Sequence, residues 1–243
     1  MKDLDAGMRQ ATQIFWGTRQ QQKLKQESAG KRDQGTRGSA TGAGHMNGFL
    51  ELVRTILLEC GLPGATIHTR TRMQLPGYFR PDKKWDLIIV AEGELIAALE
   101  VKSQVGSIGN NCNNRSEEAL GNGVDFFTAF REGAFKPSAK PWLGFLMVLE
   151  DSEDSRSAYK PREPHFHVFP EFRGASYIKR YEILLLKLIR ERWYDGACLV
   201  TTNQVQGPTG VYSEPSPELT FHKLAESLLA RVIAHVKTHP KLA

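Results

Sequence analysis

The sequence predicts an α/β fold, a mixed β-sheet flanked by helices, and three observations predict it. Apolar residues recur at three- and four-residue spacing in several long segments, the mark of helices with one buried face. Short β-branched and apolar runs lie between those segments and read as strands. Two of the runs, Trp85 to Ala91 and Glu94 to Lys102, are separated only by Glu92-Gly93. That dipeptide reads as a hairpin turn, so the sheet is not purely parallel.

The elements follow in order. Residues 1–16 read as a short helix ending on Ile14, Phe15 and Trp16. Residues 17–44 are polar, with Arg19, Lys23, Lys25, Lys31, Arg32 and Arg37 opposed only by Glu27 and Asp33. Such a segment has too little apolar surface to order itself. It reads as a basic arm or linker, either solvated or ordering against phosphates. Met46 to Cys60 is a predicted helix on the spacing of Phe49, Val53, Ile56 and Cys60, with Gly61 as its stop. Thr66 to Met73 is a predicted strand, and the hairpin follows. Arg115 to Arg131 reads as a helix carrying Leu120, Val124, Phe127 and Phe130, weakened by Gly121 and Gly123. Trp142 to Leu149 is a buried type of strand. Asp151 to Pro170 is a charged, proline-broken connection. Ser176 to Trp193 is a helix with Ile178, Tyr181, Leu185, Leu188 and Ile189 on one face, and Ala197 to Thr201 is a strand. Ser216 and Pro217 read as the N-cap and first position of a last helix, striped by Phe221, Leu224, Leu228, Val232 and Val236.

Composition narrows the classes. The chain has 243 residues, 40% hydrophobic and 24% charged, which suits a single α/β domain spanning 1–243. No run approaches the roughly 18 apolar residues of a membrane span. Met1 to Gly7 lacks the apolar core of a secretory signal. Cys60, Cys112 and Cys198 show no C-x-x-C spacing, which argues against a disulfide framework and a thiolate zinc site. A reducing cytoplasm is the compartment expected. The net charge of +5 is compatible with a polyanionic partner.

The chemistry concentrates in RPDKKWDLIIVAEGELIAALEVKSQ, residues 80–104. In a hairpin centred near Gly93, residue i pairs with about 186 minus i, which sets Asp86 opposite Glu100. Directly opposed residues share a face, and Glu100 and Lys102 share one because they are two apart. One aspartate, one glutamate and one lysine thus converge at one end of an otherwise apolar hairpin, where charge is costly unless used. Two such carboxylates repel unless a cation lies between them. Oxygen donors select a hard ion, so Mg²⁺ is expected, with Mn²⁺ as a substitute. Phosphodiester hydrolysis uses such an ion to polarise phosphate and acidify water. Lys102 would position the attacking water and stabilise the developing anion, or act as its base. The competing reading is a solvated Glu-x-Lys ion pair. Asp82 competes as a ligand, 18 positions before Glu100 against 14 for Asp86, but hairpin geometry favours Asp86.

Pro81-Asp82, Asp86 and Glu100-Val101-Lys102 resemble the PD-(D/E)XK nuclease superfamily. The segments RPDKKWDLIIV, LEVKSQVGSIGNNCNNRSEEALGNGVD, VFPEFRGASYIKRYE, LIRERWYDGACLVTT and KRDQGTRGSATGAGHMNGFLEL are similar to the XhoI family of type II restriction endonucleases. That resemblance implies a restriction-endonuclease-like PD-(D/E)XK core with Asp86 and Glu100 as metal ligands and Lys102 as the catalytic lysine. It also implies a homodimer cutting double-stranded DNA at CTCGAG after the first C, with four-base 5′ overhangs. A cognate methyltransferase is expected from that role. Within the superfamily a helix before the strands sometimes adds a carboxylate, which makes Glu51 a candidate beside its reading as a solvated helix residue. The rival classes are a repair or recombination nuclease of the same chemistry and a non-catalytic DNA-binding protein.

Ser103 to Arg115 follows the catalytic strand directly and carries Gln104, Asn110, Asn111, Asn113, Asn114 and Arg115. Asn and Gln can read adenine, and Arg guanine, so these residues are candidate DNA contacts, against the alternative of an ordinary polar loop. Arg173, Lys179 and Arg180 open the helix after Pro170 and could grip phosphates, as could Lys31, Arg32 and Arg37. His165 and His167 alternate on one side, but with no third ligand nearby a zinc site is not expected. Cys198 reads as core.

Overall fold

The structure is a computed structural model that describes residues 3–28 and 43–238. Its centre is a five-stranded mixed sheet in the order β1 (Ile67–His68), β4 (Leu87–Ala91), β5 (Glu94–Gln104), β6 (Trp142–Glu150) and β7 (Gly196–Thr202). β5, β6 and β7 run parallel, while β4 is antiparallel to both β1 and β5. A separate two-stranded ribbon, β2 (Gln74–Leu75) with β3 (Lys83–Lys84), precedes the hairpin.

Helices cover both faces, as the pattern predicts. α1 (Leu4–Ser28), α2 (Asn47–Glu59) and α5 (Phe221–Thr238) pack on one face through Phe15, Phe49, Leu57, Leu228 and Val232. α3 (Ile108–Arg131) and α4 (Tyr177–Arg190) pack on the other through Cys112, Phe126, Tyr181 and Leu185. α3 links β5 to β6 and α4 lies between β6 and β7, so the two crossovers lie on the same side of the sheet.

Four elements differ most from the sequence reading. α1 runs to Ser28 rather than ending at Trp16. Its second half, rich in Gln, Lys and Arg, has strong helix formers but no apolar stripe, so propensity and not periodicity carries it. The predicted basic arm therefore begins as helix; Lys31, Arg32 and Arg37 lie outside the described residues. α3 begins at Ile108, seven residues before the predicted start, so the asparagines are helical rather than a loop. Ile108 and Cys112, one turn apart and buried, anchor that first turn and override the poor helix propensity of Asn. The third correction is at the last helix. Ser216 is buried and α5 starts only at Phe221, where Thr220 Oγ1 accepts from Lys223 N–H and Glu214 Oε1 from Phe221 N–H. The predicted strand at 66–73 is likewise short, with β1 and β2 divided by a bend.

The hairpin register decides where the chemistry falls. Glu92 and Gly93 both have positive φ, +50° and +82°, as a tight two-residue turn of this hand requires. Next to the turn Ala91 faces Glu94 and Val90 faces Leu95. The ladder then slips by one, and Ile89 faces Ala97, Ile88 faces Ala98 and Leu87 faces Leu99. Ile96 is the extra residue, a β-bulge. Ile96 and Ala97 consequently both point into the helix α1–α2–α5 side, although neighbours in a regular strand alternate.

Candidate active site

The slip at Ile96 brings Asp86 and Glu100 to one face. Asp86 continues the ladder past Leu87, its N–H donating to Leu99 O at 3.3 Å. Its carboxylate Oδ2 accepts from Val101 N–H at 2.8 Å. Glu100 and Lys102 occupy the carboxyl-terminal part of β5, on the face covered by α3 and α4. Ligand sites in open α/β sheets lie at that end of parallel strands.

Glu100 is buried, 1% exposed. Two ammonium groups hold it. Lys83 Nζ lies 2.9 Å from Oε2, and Lys102 is ion-paired with Oε1. Lys83 also sits over the Trp85 ring, 4.4 Å from its centroid. Lys102 reaches onward to Glu118 Oε1 on α3 at 3.1 Å, and Arg115 closes the chain at 2.6 Å from Glu118 Oε2. The site is therefore an alternating row of charges, Lys83, Glu100, Lys102, Glu118 and Arg115, with Asp86 against Glu100.

Electrostatics reflects that arrangement. Burial, and then the neighbouring Glu100, push the Asp86 carboxyl up from 3.8 to about 6 against the opposing pull of Lys102 and Lys83. Burial pulls Lys102 down, but Glu100, Glu118 and Asp86 outweigh it and hold the ammonium above its usual range. Burial would raise Glu118, yet Lys102 and Arg115 keep its carboxyl below the usual range.

A stability prediction follows. In the metal-free protein Asp86 binds its proton up to about pH 6, whereas the unfolded chain releases it near 3.8. The folded state binds more protons across that window, so this group's contribution to stability falls as pH rises from about 4 to about 6 and stays low above. Asp86→Asn is expected to raise the melting temperature of metal-free protein at pH 7.5 by a few degrees, on the order of 1–2 kcal/mol. The same variant is expected to lose any stabilisation by added Mg²⁺. Calorimetry with and without the ion checks both; a lower melting temperature for the variant contradicts the first.

The remaining candidates divide. Asn110, Asn113 and Asn114 are exposed on the first turns of α3, as are Arg173 and Lys179 beside α4; Asn111 is half-buried. Asn113 Oδ1 accepts from Arg180 at 2.7 Å, and Lys179 pairs with Glu182 at 2.9 Å. Arg180 stacks between Tyr159 and Tyr177. Gln104 is buried and its Nε2 donates to Gly106 O at 2.6 Å, so it pins the turn into α3 rather than facing solvent. Arg115 is engaged by Glu118. Asp82 is exposed and lies before β3, outside the hairpin strands. Glu51 is on α2, across the sheet from Glu100, with Arg70 3.9 Å away. His167 pairs with Glu163 at 3.3 Å and, like His165, is exposed.

Lys83 and Glu118 are site residues that the sequence reading missed. The only trace of Lys83 is its place in RPDKKWD. Glu118 reads as half of a surface Arg115–Glu118 pair at i, i+3.

Known proteins bear directly on this geometry. The family model described as "Restriction endonuclease XhoI" matches residues 25–214. The chain is 45% identical over 215 residues to the type II restriction enzyme BstVI of Geobacillus stearothermophilus, covering 86% of this chain and 96% of that one. It is 47% identical over 158 residues to the type II restriction enzyme XhoI of Xanthomonas vasicola, 64% of each chain. It is 46% identical over 168 residues to the type II restriction enzyme AbrI of Azospirillum brasilense, 68% of this chain and 75% of that one. No solved structure matches. With the match extending over most of its length, the chain belongs to the XhoI family of restriction endonucleases.

Proposed function

We propose that this protein is a Mg²⁺-dependent, site-specific endonuclease that hydrolyses both strands of duplex DNA, with Asp86, Glu100 and Lys102 as its catalytic centre. The observation that carries it is the convergence of those three side chains at the carboxyl end of β5 in a chain of this family. CTCGAG, cut after its first C, is the proposed site, and a homodimer matches the two-fold symmetry of that palindrome.

Asp86 and Glu100 would hold the ion. Their fit is supported by Asp86, whose charged form is disfavoured by burial and by Glu100, a cost a cation would relieve. Among the described residues no cluster of three His, Cys, Asp or Glu side chains forms a metal cage. Mg²⁺ commonly uses one or two carboxylates and completes its octahedron with water and phosphate. When bound, it supplies positive charge to the scissile phosphate and lowers the pKa of water. Lys83 and Lys102 neutralise Glu100 in this structure, so ligation requires at least one ammonium to turn away. Lys102 is placed to do so, because Glu118 offers it a second anchor. From there its Nζ can donate to a phosphate oxygen or to the attacking water. Glu118 and Arg115 orient it. Asn110, Asn113, Asn114, Arg173 and Lys179 are proposed DNA contacts.

Among the described residues no helix is long and apolar enough to cross a membrane. A cytoplasmic setting with a cognate methyltransferase is part of the proposal, since an unrestrained nuclease would cut its host's DNA.

The test is digestion of DNA of known sequence with sequencing of the ends. Discrete fragments with CTCGAG-derived four-base 5′ overhangs are expected with Mg²⁺, and no cleavage in EDTA. Cutting at random or at DNA junctions would favour the repair class instead.

A further inference from the structure

Apart from Lys83, the ribbon β2–β3 and its loop, residues 74–84, take no part in the proposed catalytic centre. At its tip Tyr78 is 54% and Phe79 69% exposed, with their rings in edge contact at 5.1 Å. Two large aromatics at a loop tip are an unusual display for a water-soluble surface. Here the display is braced. The carboxylate of Asp125, 5% exposed, accepts from Tyr78 N–H and Phe79 N–H, each at 2.8 Å. Its second oxygen accepts from Arg80 Nε at 2.7 Å, and Arg80 also donates to Asn122 Oδ1 at 2.8 Å. A Cβ on Gly77 would lie 2.4 Å from Asp125 Oδ2, so only glycine lets the loop sit this close. A buried carboxylate thus holds the backbone of a loop whose side chains point into solvent.

The brace and the catalytic centre share one helix face. Glu118, Asn122 and Asp125 are spaced by four and three residues on α3. Glu118 anchors Lys102, and the other two anchor the loop, about 6 and 10 Å further along the helix. The loop's return strand delivers Lys83 to Glu100. Lys83 lies four positions after Phe79, at most about 14 Å of chain. The aromatic tip therefore stands within one helical turn of duplex, about 34 Å, from the catalytic carboxylates. Arg72 and Lys84, both exposed, flank the ribbon against exposed Asp82, whereas Arg70, Arg80 and Lys83 answer Glu51, Asp125 and Glu100.

We propose that this arm is a DNA-gripping wedge, with Tyr78 and Phe79 entering a groove of the duplex and packing on sugar and base faces while the flanking cations meet its phosphates. The assignment rests on the nuclease reading above. A second copy of the chain is the other occupant an exposed aromatic pair suggests. In a two-fold contact through the ribbon, however, Arg72 and Lys84 would be brought toward their own counterparts. A polyanion removes that repulsion, and apolar wedges against base steps are an established way to hold a deformed duplex.

The experiment compares wild type with the double variant Tyr78→Ser/Phe79→Ser. Anisotropy with a labelled duplex carrying the site mapped by end sequencing, in Ca²⁺, reads binding. Steady-state cleavage in Mg²⁺ and sedimentation without DNA complete it. Affinity is expected to fall about 5- to 100-fold, the range for losing one aromatic–base contact, with a matching rise in KM and unchanged sedimentation. Affinity within twofold of wild type overturns the wedge, and so does conversion of a dimer to monomers. Phe79→Ser alone carries the test if the double variant loses its melting transition. Failure of wild type to cleave DNA would instead overturn the nuclease reading.

Discussion

Lys102→Ala is expected to slow DNA cleavage by about 10²–10⁴-fold at saturating Mg²⁺ while the protein still folds and binds duplex. That range covers loss of a general base or of a charge placed on the developing oxyanion. The structure explains why the fold survives: Glu100 keeps Lys83, and Glu118 keeps Arg115, so no buried carboxylate is left without a cation. Lys102→Arg separates the two roles. Arginine retains the charge but cannot give up its proton, so a variant as slow as Lys102→Ala points to proton transfer. Partial rescue points to charge stabilisation. Asp86→Ala and Glu100→Ala are expected to lose at least as much, because they remove the proposed ion's ligands. Single-turnover assays decide it, and activity above about a tenth of wild type in any of the three alanine variants removes the assignment.

Deleting Ile96 is expected to abolish cleavage and to destabilise the domain by more than about 3 kcal/mol, on the scale of a large-to-small change in a core. The tight turn at Glu92-Gly93 by itself sets Ala91 opposite Glu94 and Val90 opposite Leu95. Carried on without a slip, that pairing puts Asp86 opposite Leu99. Asp86 would then face α1, α2 and α5 while Glu100 faced α3, because one residue of slip exchanges the faces. The bulge restores Asp86 to the side of Glu100. Without it, either the carboxylates separate or the turn-proximal apolar residues turn outward. Urea unfolding and a cleavage assay test this together. A deletion variant with wild-type stability and activity would show that the bulge has no part in building the site.

Legibility followed the kind of interaction. α2 and α4 were readable because each buries a stripe, such as Phe49, Val53 and Ile56, that leaves a period in the sequence. The first turns of α3 were not, because Asn110, Asn113 and Asn114 favour loops locally and only the burial of Ile108 and Cys112 overrides them. The same holds for α5, where buried Ser216 resembles a cap but the chain must still cross to Thr220 before it can turn.

What the sequence by itself determined is the mixed α/β class, the hairpin, and the three side chains proposed as the catalytic centre. Those rest on near neighbours in the chain: strand alternation, a two-residue turn, and a Glu-x-Lys spacing. Tertiary structure alone decided that Lys83 holds Glu100, that Glu118 holds Lys102, and that Asp125 holds the Tyr78–Phe79 loop. Each of these joins residues more than a dozen positions apart through an ion pair or hydrogen bond, which leaves no period behind. The register stands between the two. Opposing Asp86 to Glu100 was expected from the turn, yet the turn alone would have set it one residue off. A buried bulge at Ile96 made the expectation true, because Ile96 and Ala97 both find apolar contacts on the same face of the sheet.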